Sequence, residues 1–340
     1  MESTAIASST AGTTLDAARE VGSRLRDRLR AAVKGRDDVI ELLLIALLAD
    51  GHVLLEDFPG SGKTTLARAL GDSLVPEDTA EGIAAFRRIQ FTPDLLPSDI
   101  TGTSIFELES SSFRFRPGPI FAHVVLADEI NRTSPKVQSA MLEAMAEKQV
   151  TVDNQSHHLD DLFFVIATQN PIDLAGTYPL PTPQLDRFLF KITMRHIERA
   201  AELEVLAGYP KRALELAEER APVRRSELLA AREAIRHEVA IVPAIKEAIV
   251  DCARALREDP RVLEGASTRS LVLMMPAMQA RAALEGRDYV GPEDIAALAP
   301  QVFGHRLEPA PGVESLAEVI RDAVAPQVDR LSRQSLSRRG

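Results

Sequence analysis

The amino-acid sequence predicts an α/β protein with a parallel sheet in its first part and a helical domain in its second part. Short apolar runs typical of buried strands alternate with helical patterns up to about residue 195, as in a parallel sheet with helical connections. A glycine-rich loop joins the first of these runs to a helix. From about residue 196 onward strand-like runs disappear, and Ala, Leu, Glu and Arg recur at helical spacing.

Composition limits the classes of protein to which the chain can belong. Its 340 residues are enough for two domains, and 45% hydrophobic with 26% charged residues is ordinary for a soluble globular protein. The one cysteine, Cys252, cannot form an intrachain disulfide, which favours a reducing compartment and predicts a cytoplasmic location. No apolar run reaches the roughly 18 residues of a membrane span. The net charge of −10 disfavours broad binding to nucleic acids.

Periodicity predicts the elements on either side of the loop. Residues 17–34 put Leu25 and Leu29 on one face of an amphipathic helix, a second helix is predicted within residues 35–51, and HVLLE (52–56) is a short buried strand. After the loop, buried strands are predicted at FRRIQF (86–91), HVVLADE (123–129) and LFFVIATQN (162–170). A helix is predicted at about 136–147, and hairpins are predicted at TSIFELESSSFRFR (103–116) and QVTVDNQSHHL (149–159).

The segment PGSGKTT (59–65) is typical of a phosphate-binding loop. Its backbone N–H groups and the positive end of the following helix can surround phosphate oxygens, and its glycines let the backbone approach closely. Lys63 would reach the β- and γ-phosphates, and the Thr64 hydroxyl would bind Mg²⁺. The predicted nucleotide-binding residues are Pro59, Gly60, Ser61, Gly62, Lys63, Thr64 and Thr65. Asp57 stands where the general pattern has its first glycine.

The predicted strand HVVLADE ends in two acidic residues, Asp128 and Glu129. Asp128 is predicted to hold the hydrated Mg²⁺ and Glu129 to act as the general base that polarises the attacking water. Taken alone, an apolar strand followed by Asp-Glu is also explained by helix capping. The joint occurrence with the phosphate-binding loop in an alternating α/β pattern favours the catalytic interpretation.

Two further side chains are candidates for catalysis. Asn170 ends the strand VIATQN, where its amide could orient the water, although an Asn before a proline is also a common turn residue. Arg187 in PTPQLDRFLF is a lone arginine beside an acid, and without further context a local ion pair explains it better than catalysis does. Arg132 fits either a subunit interface or a surface salt bridge.

Long blocks of the sequence resemble the MoxR family of AAA+ ATPases. The resemblance covers most of residues 35–306, and its blocks are EDFPGSGKTTLARAL, FTPDLLPSDITGT, FRPGPIFAHVVLADEINRTSPKVQSAMLEAM, QVTVD, FFVIATQNPIDLAGTYPLPTPQLDRF and GASTRS. In that family Asp57 recurs, so it is no departure. The resemblance implies a flexible tail, an α/β nucleotide-binding domain, a helical lid domain and a C-terminal helical segment with a tail, at residues 1–16, 17–195, 196–306 and 307–340.

The resemblance also implies roles for single residues. Asn170 matches sensor 1, Arg187 matches the arginine finger that acts on the neighbouring subunit's ATP, and Arg269 matches the sensor 2 arginine of the lid. The two hairpins match elements that related rings use to grip or push a client, although both could be ordinary sheet edges.

The function implied is Mg²⁺-dependent ATP hydrolysis by a ring of identical subunits, with a hexamer as the expected size. Hydrolysis would drive the remodelling or maturation of a protein client, together with a partner that has a von Willebrand factor A domain. Two alternatives stay open, namely the ATPase subunit of a complex similar to magnesium chelatase and a DNA-dependent motor. The acidic charge balance counts against the motor.

Overall fold

The computed structural model describes residues 14–56, 60–75, 83–170, 176–208 and 221–337, with side chains of the last helix up to residue 333. Its centre is a five-stranded parallel sheet, which confirms the predicted α/β fold. The strands are β1 (Val53–Glu56), β3 (Ala84–Gln90), β6 (Ala122–Asp128), β9 (Phe164–Gln169) and β10 (Phe190–Thr193). In space their order is β10–β1–β9–β6–β3, so the first strand lies between the last two.

Helices connect these strands and build the second domain. In the first part of the chain they are α1 (Leu15–Ala32), α2 (Asp37–Leu48), α3 (Lys63–Asp72), α4 (Pro97–Thr101), α5 (Pro135–Glu147) and α6 (Thr182–Leu185). After β10 they are α7 (Arg199–Ala207), α8 (Arg225–Glu238), α9 (Pro243–Glu258), α10 (Thr268–Leu284), α11 (Pro292–Phe303) and α12 (Leu316–Ser337). A 3-10 turn at Ile130–Arg132 follows β6.

Both predicted hairpins are present, as β4 (Gly102–Glu107) with β5 (Ser112–Pro117) and β7 (Gln149–Val152) with β8 (Gln155–His158). The expectation that strands disappear after residue 196 needs a correction. The second part contributes β11 (Val223–Arg224), β12 (Val262–Glu264) and β13 (Glu308–Pro309), and β11 pairs with β2 (Leu74–Val75) of the first part. These strands have only two or three residues, which is too short to produce a recognisable alternation in the sequence.

The strand β6 explains how the sheet is covered. All seven of its residues are buried, as expected for a parallel strand with packed layers on both faces. Because side chains alternate across a strand, Val124 and Leu126 join one core, while Val125 and Ala127 join the other. The uninterrupted apolar run that predicted this strand is therefore a consequence of burial on both faces.

The second domain shares a core with the first. Leu25 and Leu29 of α1 belong to the same buried cluster as Leu228 and Ile235 of α8. Arg232 of α8, almost wholly buried, donates to the Leu47 carbonyl oxygen at 2.9 Å and to the Asp50 carboxylate at 2.7 Å. The two parts of the chain thus pack as one body around α1 and α2. Within the described residues, no helix has both the length and the apolar character needed to cross a membrane.

Candidate nucleotide-binding site

The site lies where the parallel strands end, which we call the carboxyl edge of the sheet. The phosphate-loop segment follows β1, and α3 begins directly after it at Lys63. Glu56 at the end of β1 is level with Gln169 of β9, and its carboxylate accepts a hydrogen bond of 2.6 Å from the Gln169 amide. Ligands of open α/β sheets bind beyond this edge, where the strand order changes direction.

The loop backbone is shaped for close approach of an anion. Gly60 and Gly62 have φ angles of +89° and +92°, a region that glycine enters without steric cost. A Cβ atom built at either position would meet no protein atom within 4 Å, so the space above the loop is open. The Ser61 hydroxyl is buried and has no hydrogen-bond partner among the residues that the structure describes. Pro59 and Asp57, both singled out from the sequence, lie outside the described residues.

The first turn of α3 continues this cradle. The N–H groups at the start of a helix have no acceptor within it, and Lys63, Thr64 and Thr65 occupy that turn. The Lys63 ammonium nitrogen lies 3.8 Å from the nearer Asp128 carboxylate oxygen, so the loop and the end of β6 meet. The structure therefore brings together the lysine and the acid that the sequence predicts for phosphate and metal binding.

Asp128 is nearly inaccessible to solvent and is held at both oxygens. One accepts a hydrogen bond of 2.7 Å from the Thr168 hydroxyl, and the other accepts one of 2.6 Å from the Arg88 guanidinium. Sequence reasoning missed Thr168 and Arg88, because neither belongs to a short motif. A lone hydroxyl in the apolar strand VIATQ was the available signal for Thr168.

Glu129 leaves the strand in an unusual conformation. Its φ of +58° is in the left-handed region, and its N–H donates to the Thr168 hydroxyl at 2.8 Å. Its carboxylate accepts a 2.9 Å hydrogen bond from the Gln90 amide and lies 3.4 Å from the Arg132 guanidinium. Thr168 thus fixes both acids at the end of β6, while Gln90 and Arg132 hold the side chain of the predicted base.

Asn170 completes the group at this edge. It directly follows β9, whose Ala167 is level with Ala127 of β6, so Asn170 extends beyond the strand ends beside Asp128 and Glu129. The four residues at the carboxyl edge are Lys63, Asp128, Glu129 and Asn170. Lys63 and the two carboxylates meet there, and Asn170 lies at the end of the neighbouring strand.

A cavity of about 660 Å³ is linked to the loop through Arg36, which lines it. It lies between the start of α2 and the segment that leads into α7, and Arg36 connects it to the phosphate loop. The Arg36 guanidinium donates to the Ser61 carbonyl oxygen at 3.2 Å and to that of Arg195. We call this space the base cavity, because its size and its bond to the loop suit the base of a nucleotide. No sequence motif marks this cavity, because its walls come from segments far apart in the chain.

Arg187 lies at the opposite, amino edge of the sheet. It precedes β10, and its guanidinium donates to the Leu142 carbonyl oxygen of α5. Nearby, the Leu189 N–H donates at 2.7 Å to the carbonyl oxygen of His52, which immediately precedes β1. The four residues of β1, about 13 Å of strand, separate this position from the phosphate loop. The structure therefore does not bring Arg187 to the Lys63 of its own chain.

Arg269 is on the same side as Arg187. It is exposed in the first turn of α10, whose N-cap Ser267 donates its hydroxyl to the Asp186 carboxylate at 3.2 Å. Arg306 donates to the same carboxylate at 2.6 Å, and burial lowers the pKa of its guanidinium. Asp186 thus fastens the segment that carries Arg187 to the helix that carries Arg269. The two arginines predicted to be catalytic therefore lie on the same side of the sheet. The other four candidates, Lys63, Asp128, Glu129 and Asn170, are at the carboxyl edge.

Two family models match parts of the chain. Residues 52–190 match the family model described as "ATPase family associated with various cellular activities (AAA)". Residues 254–326 match the model described as "AAA lid domain".

Curated relatives cover most of the chain. The Bacillus subtilis protein "Uncharacterized protein YeaC" is 49% identical over 287 residues, which is 83% of this chain and 85% of that protein. "Chaperone MoxR1" of Mycobacterium tuberculosis is 35% identical over 334 residues, covering 91% of this chain and 83% of the relative. "Protein MoxR" of Methylorubrum extorquens is 33% identical, covering 92% of this chain and 93% of the relative.

A solved structure shows the same fold. It is the crystal structure of a Cytophaga hutchinsonii protein proposed to be an ATPase, with a TM-score of 0.81 and 35% sequence identity. The match covers 92% of this chain and 95% of that one.

Proposed function

The chain belongs to the MoxR family of AAA+ ATPases, and we propose that it hydrolyses Mg²⁺-bound ATP in a ring of identical subunits to remodel a protein client. The observation that carries the proposal is the contact of Lys63 with Asp128 beside Glu129, at the mouth of an open phosphate loop. The 3.8 Å contact puts a cation for the phosphates next to a pair of acids.

The residues at the carboxyl edge divide the work of hydrolysis. Backbone N–H groups of the loop and Lys63 bind the phosphates, and their positive charge stabilises the charge that develops during transfer. Glu129 takes a proton from the attacking water, and Asn170 orients that water. Gln90 and Arg132 both contact one oxygen of the Glu129 carboxylate, which leaves the other oxygen to accept the proton, and we expect the side chain to change partners when ATP binds.

Mg²⁺ fits the groups that are present. The Thr64 hydroxyl and the Asp128 carboxylate are oxygen ligands of the kind that Mg²⁺ prefers, and the Lys63 contact brings the first turn of α3 next to that carboxylate. When bound with ATP, the ion would neutralise charge on the β- and γ-phosphates. The base of the nucleotide would occupy the base cavity, with Arg36 holding the cavity wall against the loop.

The position of the two arginines supports a ring. A cation that stabilises transferred phosphate has to lie close to it, and Arg187 and Arg269 are on the far edge from their own loop. They can serve a nucleotide only if another copy presents its carboxyl edge to them. Such a head-to-tail contact joins unlike surfaces and generates a ring when its rotation closes, and we propose a closed ring of six subunits.

Exposed apolar side chains support the contact. Helix α7, one wall of the base cavity, has no buried residue and exposes Leu203 and Leu206 one turn apart. Val272 is exposed one turn after Arg269. Apolar patches therefore lie beside both halves of the proposed composite site.

The hairpins are the surfaces that we assign to the client. Phe106 and Phe113 are paired across the β4–β5 hairpin with ring centroids 5.2 Å apart, yet they are 46% and 73% exposed. Phe115 of this hairpin stacks on His157 of the β7–β8 hairpin at 3.7 Å, so the two hairpins would move together. The partner with a von Willebrand factor A domain rests on family membership alone, and the cytoplasmic location stays a prediction.

Two substitutions test the hydrolysis. Glu129→Gln should keep nucleotide binding and abolish turnover, because the amide cannot accept the proton from water. Lys63→Ala should weaken nucleotide binding strongly. Phosphate release and nucleotide titration measure both effects, and Glu318→Gln on the exposed face of α12 is the matched control. A fully active Glu129→Gln protein would refute the assigned base, and unchanged affinity in Lys63→Ala would refute the phosphate site.

A mixing experiment tests the ring. Arg187→Ala subunits keep an intact nucleotide site but lack the arginine, while Glu129→Gln subunits keep the arginine but lack the base. Each protein alone should be inactive, and a mixture should recover turnover where a Glu129→Gln subunit offers its Arg187 to an Arg187→Ala neighbour. Mixtures that stay inactive at every ratio would contradict an arginine that acts between subunits.

A further inference from the structure

We propose that Gln138 couples the nucleotide site of one subunit to the Arg187 that the same subunit offers to its neighbour. The inference rests on the function proposed above, and it adds a residue that communicates between successive sites of the ring. Gln138 lies on α5 and is 1% exposed, although it is polar. It touches neither the phosphate loop nor a predicted catalytic side chain.

The Gln138 amide joins two segments that are far apart in the chain. Its nitrogen donates to the carbonyl oxygen of Ile130 at 3.2 Å, of Thr133 at 3.4 Å and of Tyr178 at 2.9 Å. The Tyr178 N–H in turn donates to the Asn131 carbonyl oxygen at 2.7 Å. One buried side chain therefore holds the turn that follows Glu129 against the segment that leads to Arg187.

The turn on the nucleotide side is bound to the proposed base. The Arg132 N–H donates to the Glu129 carbonyl oxygen at 2.9 Å, and the Arg132 side chain pairs with the Glu129 carboxylate. A change of partners by Glu129 when ATP binds would therefore displace the turn as well. The carbonyl groups that Gln138 holds are at both ends of this turn.

The segment on the other side is stiff. Pro179, Pro181 and Pro183 restrict its backbone, and α6 follows at once, with the Gln184 N–H donating to the Pro181 carbonyl oxygen at 2.8 Å. The Arg187 N–H then donates to the Gln184 carbonyl oxygen at 3.2 Å. A displacement at Tyr178 would thus reach Arg187 without being absorbed by a flexible loop.

Helix α5 holds both ends of this connection. The Arg187 guanidinium donates to the carbonyl oxygen of Leu142, four residues after Gln138 and therefore on the same side of the helix. The same helix thus contacts the turn after the base through Gln138 and the arginine through Leu142. The helix α5 is therefore a rigid connection between a subunit's own ATP site and its Arg187, which completes the ATP site of the neighbouring subunit.

The test measures whether Arg187 responds to the nucleotide bound by its own subunit. An acceptor chain carries Arg187→Ala, so its turnover depends on the arginine of a neighbour. A donor chain keeps Arg187 and carries either Glu129→Gln, which holds ATP, or Lys63→Ala, which is empty. With donors in excess, turnover per acceptor should differ at least about fivefold between the two donors, the lower end of usual allosteric coupling.

Gln138→Leu in the donor should reduce this ratio to about one while acceptor turnover persists. Leucine fills the space but cannot donate to the three carbonyl groups. Gln138→Met is a second variant, because its unbranched side chain adapts to the same space if leucine disturbs folding. Gln327→Leu on α12 is the control for the same change elsewhere, and it should keep the ratio.

Each other outcome would overturn the inference. An unchanged ratio in Gln138→Leu and Gln138→Met donors would mean that the signal does not pass through Gln138. Loss of acceptor turnover with both donor types would mean that Gln138 only supports the position of Arg187. A ratio of one with unsubstituted Gln138 would mean that the arginine does not respond to its own site. If unsubstituted donors never activate the acceptor, the arginine does not act between subunits, and the proposed function fails together with this inference.

Discussion

The two edges of the central sheet differ in how tightly they are built. At the carboxyl edge the backbone of Gly60, Gly62 and Glu129 is left-handed, and the space above the loop is open. At the amino edge, Arg306 is 2% exposed and donates to the Asp186 carboxylate and to four backbone carbonyl oxygens. One edge leaves open space above its loop for a ligand, and the other uses its polar groups to fasten the lid to the sheet.

This difference suggests how one sheet can serve two nucleotide sites. The carboxyl edge has to admit ATP and let Glu129 change partners. The amino edge has to present Arg187 and Arg269 to a neighbour in a fixed arrangement, because a misplaced cation loses most of its effect on phosphoryl transfer. Substitutions at the amino edge should therefore change stability, and those at the carboxyl edge should change binding.

The largest effect is expected from Arg306→Met. It removes a buried cation from Asp186 and leaves several carbonyl groups unsatisfied, which should reduce the free energy of unfolding by about 3–5 kcal/mol. Lys63→Met at the carboxyl edge should cost less, since Lys63 makes one contact of 3.8 Å and Asp128 keeps its bonds to Thr168 and Arg88. Urea unfolding compares the two, and equal losses would contradict the proposed difference between the edges.

Acid should weaken the amino edge next. Burial lowers the pKa of His52 to about 4 and of His305 to about 3, and their ring nitrogens bond to Met145 and Phe188 carbonyl oxygens. Since the unfolded state binds these protons at higher pH, stability is complete above pH 7 and is lost as pH falls below about 6.5. At pH 5 each histidine should cost about 2 kcal/mol.

Urea unfolding at pH 7.5 and pH 5 measures this loss. A His305→Asn protein is less stable throughout but should lose less between the two pH values, because an amide takes up no proton. The control is His158→Asn at an exposed position, which should lose as much unfolding free energy between the two pH values as the unmodified protein does. If His305→Asn and the control lose the same unfolding free energy between the two pH values, His305 does not contribute to the acid sensitivity.

Two glycine substitutions, one at each edge of the sheet, should each reduce the free energy of unfolding by about 1–3 kcal/mol. In Gly51→Ala at the amino edge, the new Cβ would lie 2.6 Å from a Leu189 methyl carbon, and such overpacking typically costs this amount in stability. Gly62→Ala at the carboxyl edge meets no protein atom but strains a left-handed backbone by about 1–2 kcal/mol. Nucleotide titration separates them, since only Gly62→Ala should also weaken ATP binding. A normal ATP affinity in Gly62→Ala would contradict the phosphate cradle.

The smallest effect on stability is expected from Leu206→Glu beside the base cavity. The side chain is 70% exposed, so unfolding should change by less than about 0.5 kcal/mol. Sedimentation velocity with ATP should nevertheless show weaker assembly, because the charge would enter the proposed interface. Val250→Glu on α9 is the control at an exposed site of the lid. Full assembly of Leu206→Glu would remove α7 from the interface.

Sequence reasoning found the parts of the site that are contiguous in the chain. Lys63, Asp128 and Glu129 belong to short motifs whose spacing reflects one strand, one turn and one helix, so the chemistry could be predicted locally. Thr168 and Arg88 were missed because each reaches Asp128 from a neighbouring strand, 40 residues away in the sequence. Pairing between parallel strands leaves no such local pattern.

The placement of the arginines shows a second limit. Family resemblance indicated roles for Arg187 and Arg269, but the sequence does not say at which edge of the sheet each one lies. That depends on Asp186, whose partners Ser267 and Arg306 are 81 and 120 residues further along the chain. The fold class was predictable because burial on both faces of β6 and β9 produces continuous apolar runs.

The core shared by α1 and α8 has a consequence for modularity. Since Leu25 and Leu29 pack in the same cluster as Leu228 and Ile235, the lid is not a cassette that recombination could exchange between relatives at residue 196. A chimaera cut there would pair two surfaces shaped for other partners. An exchange that preserves this core would have to carry the N-terminal helix and the lid together.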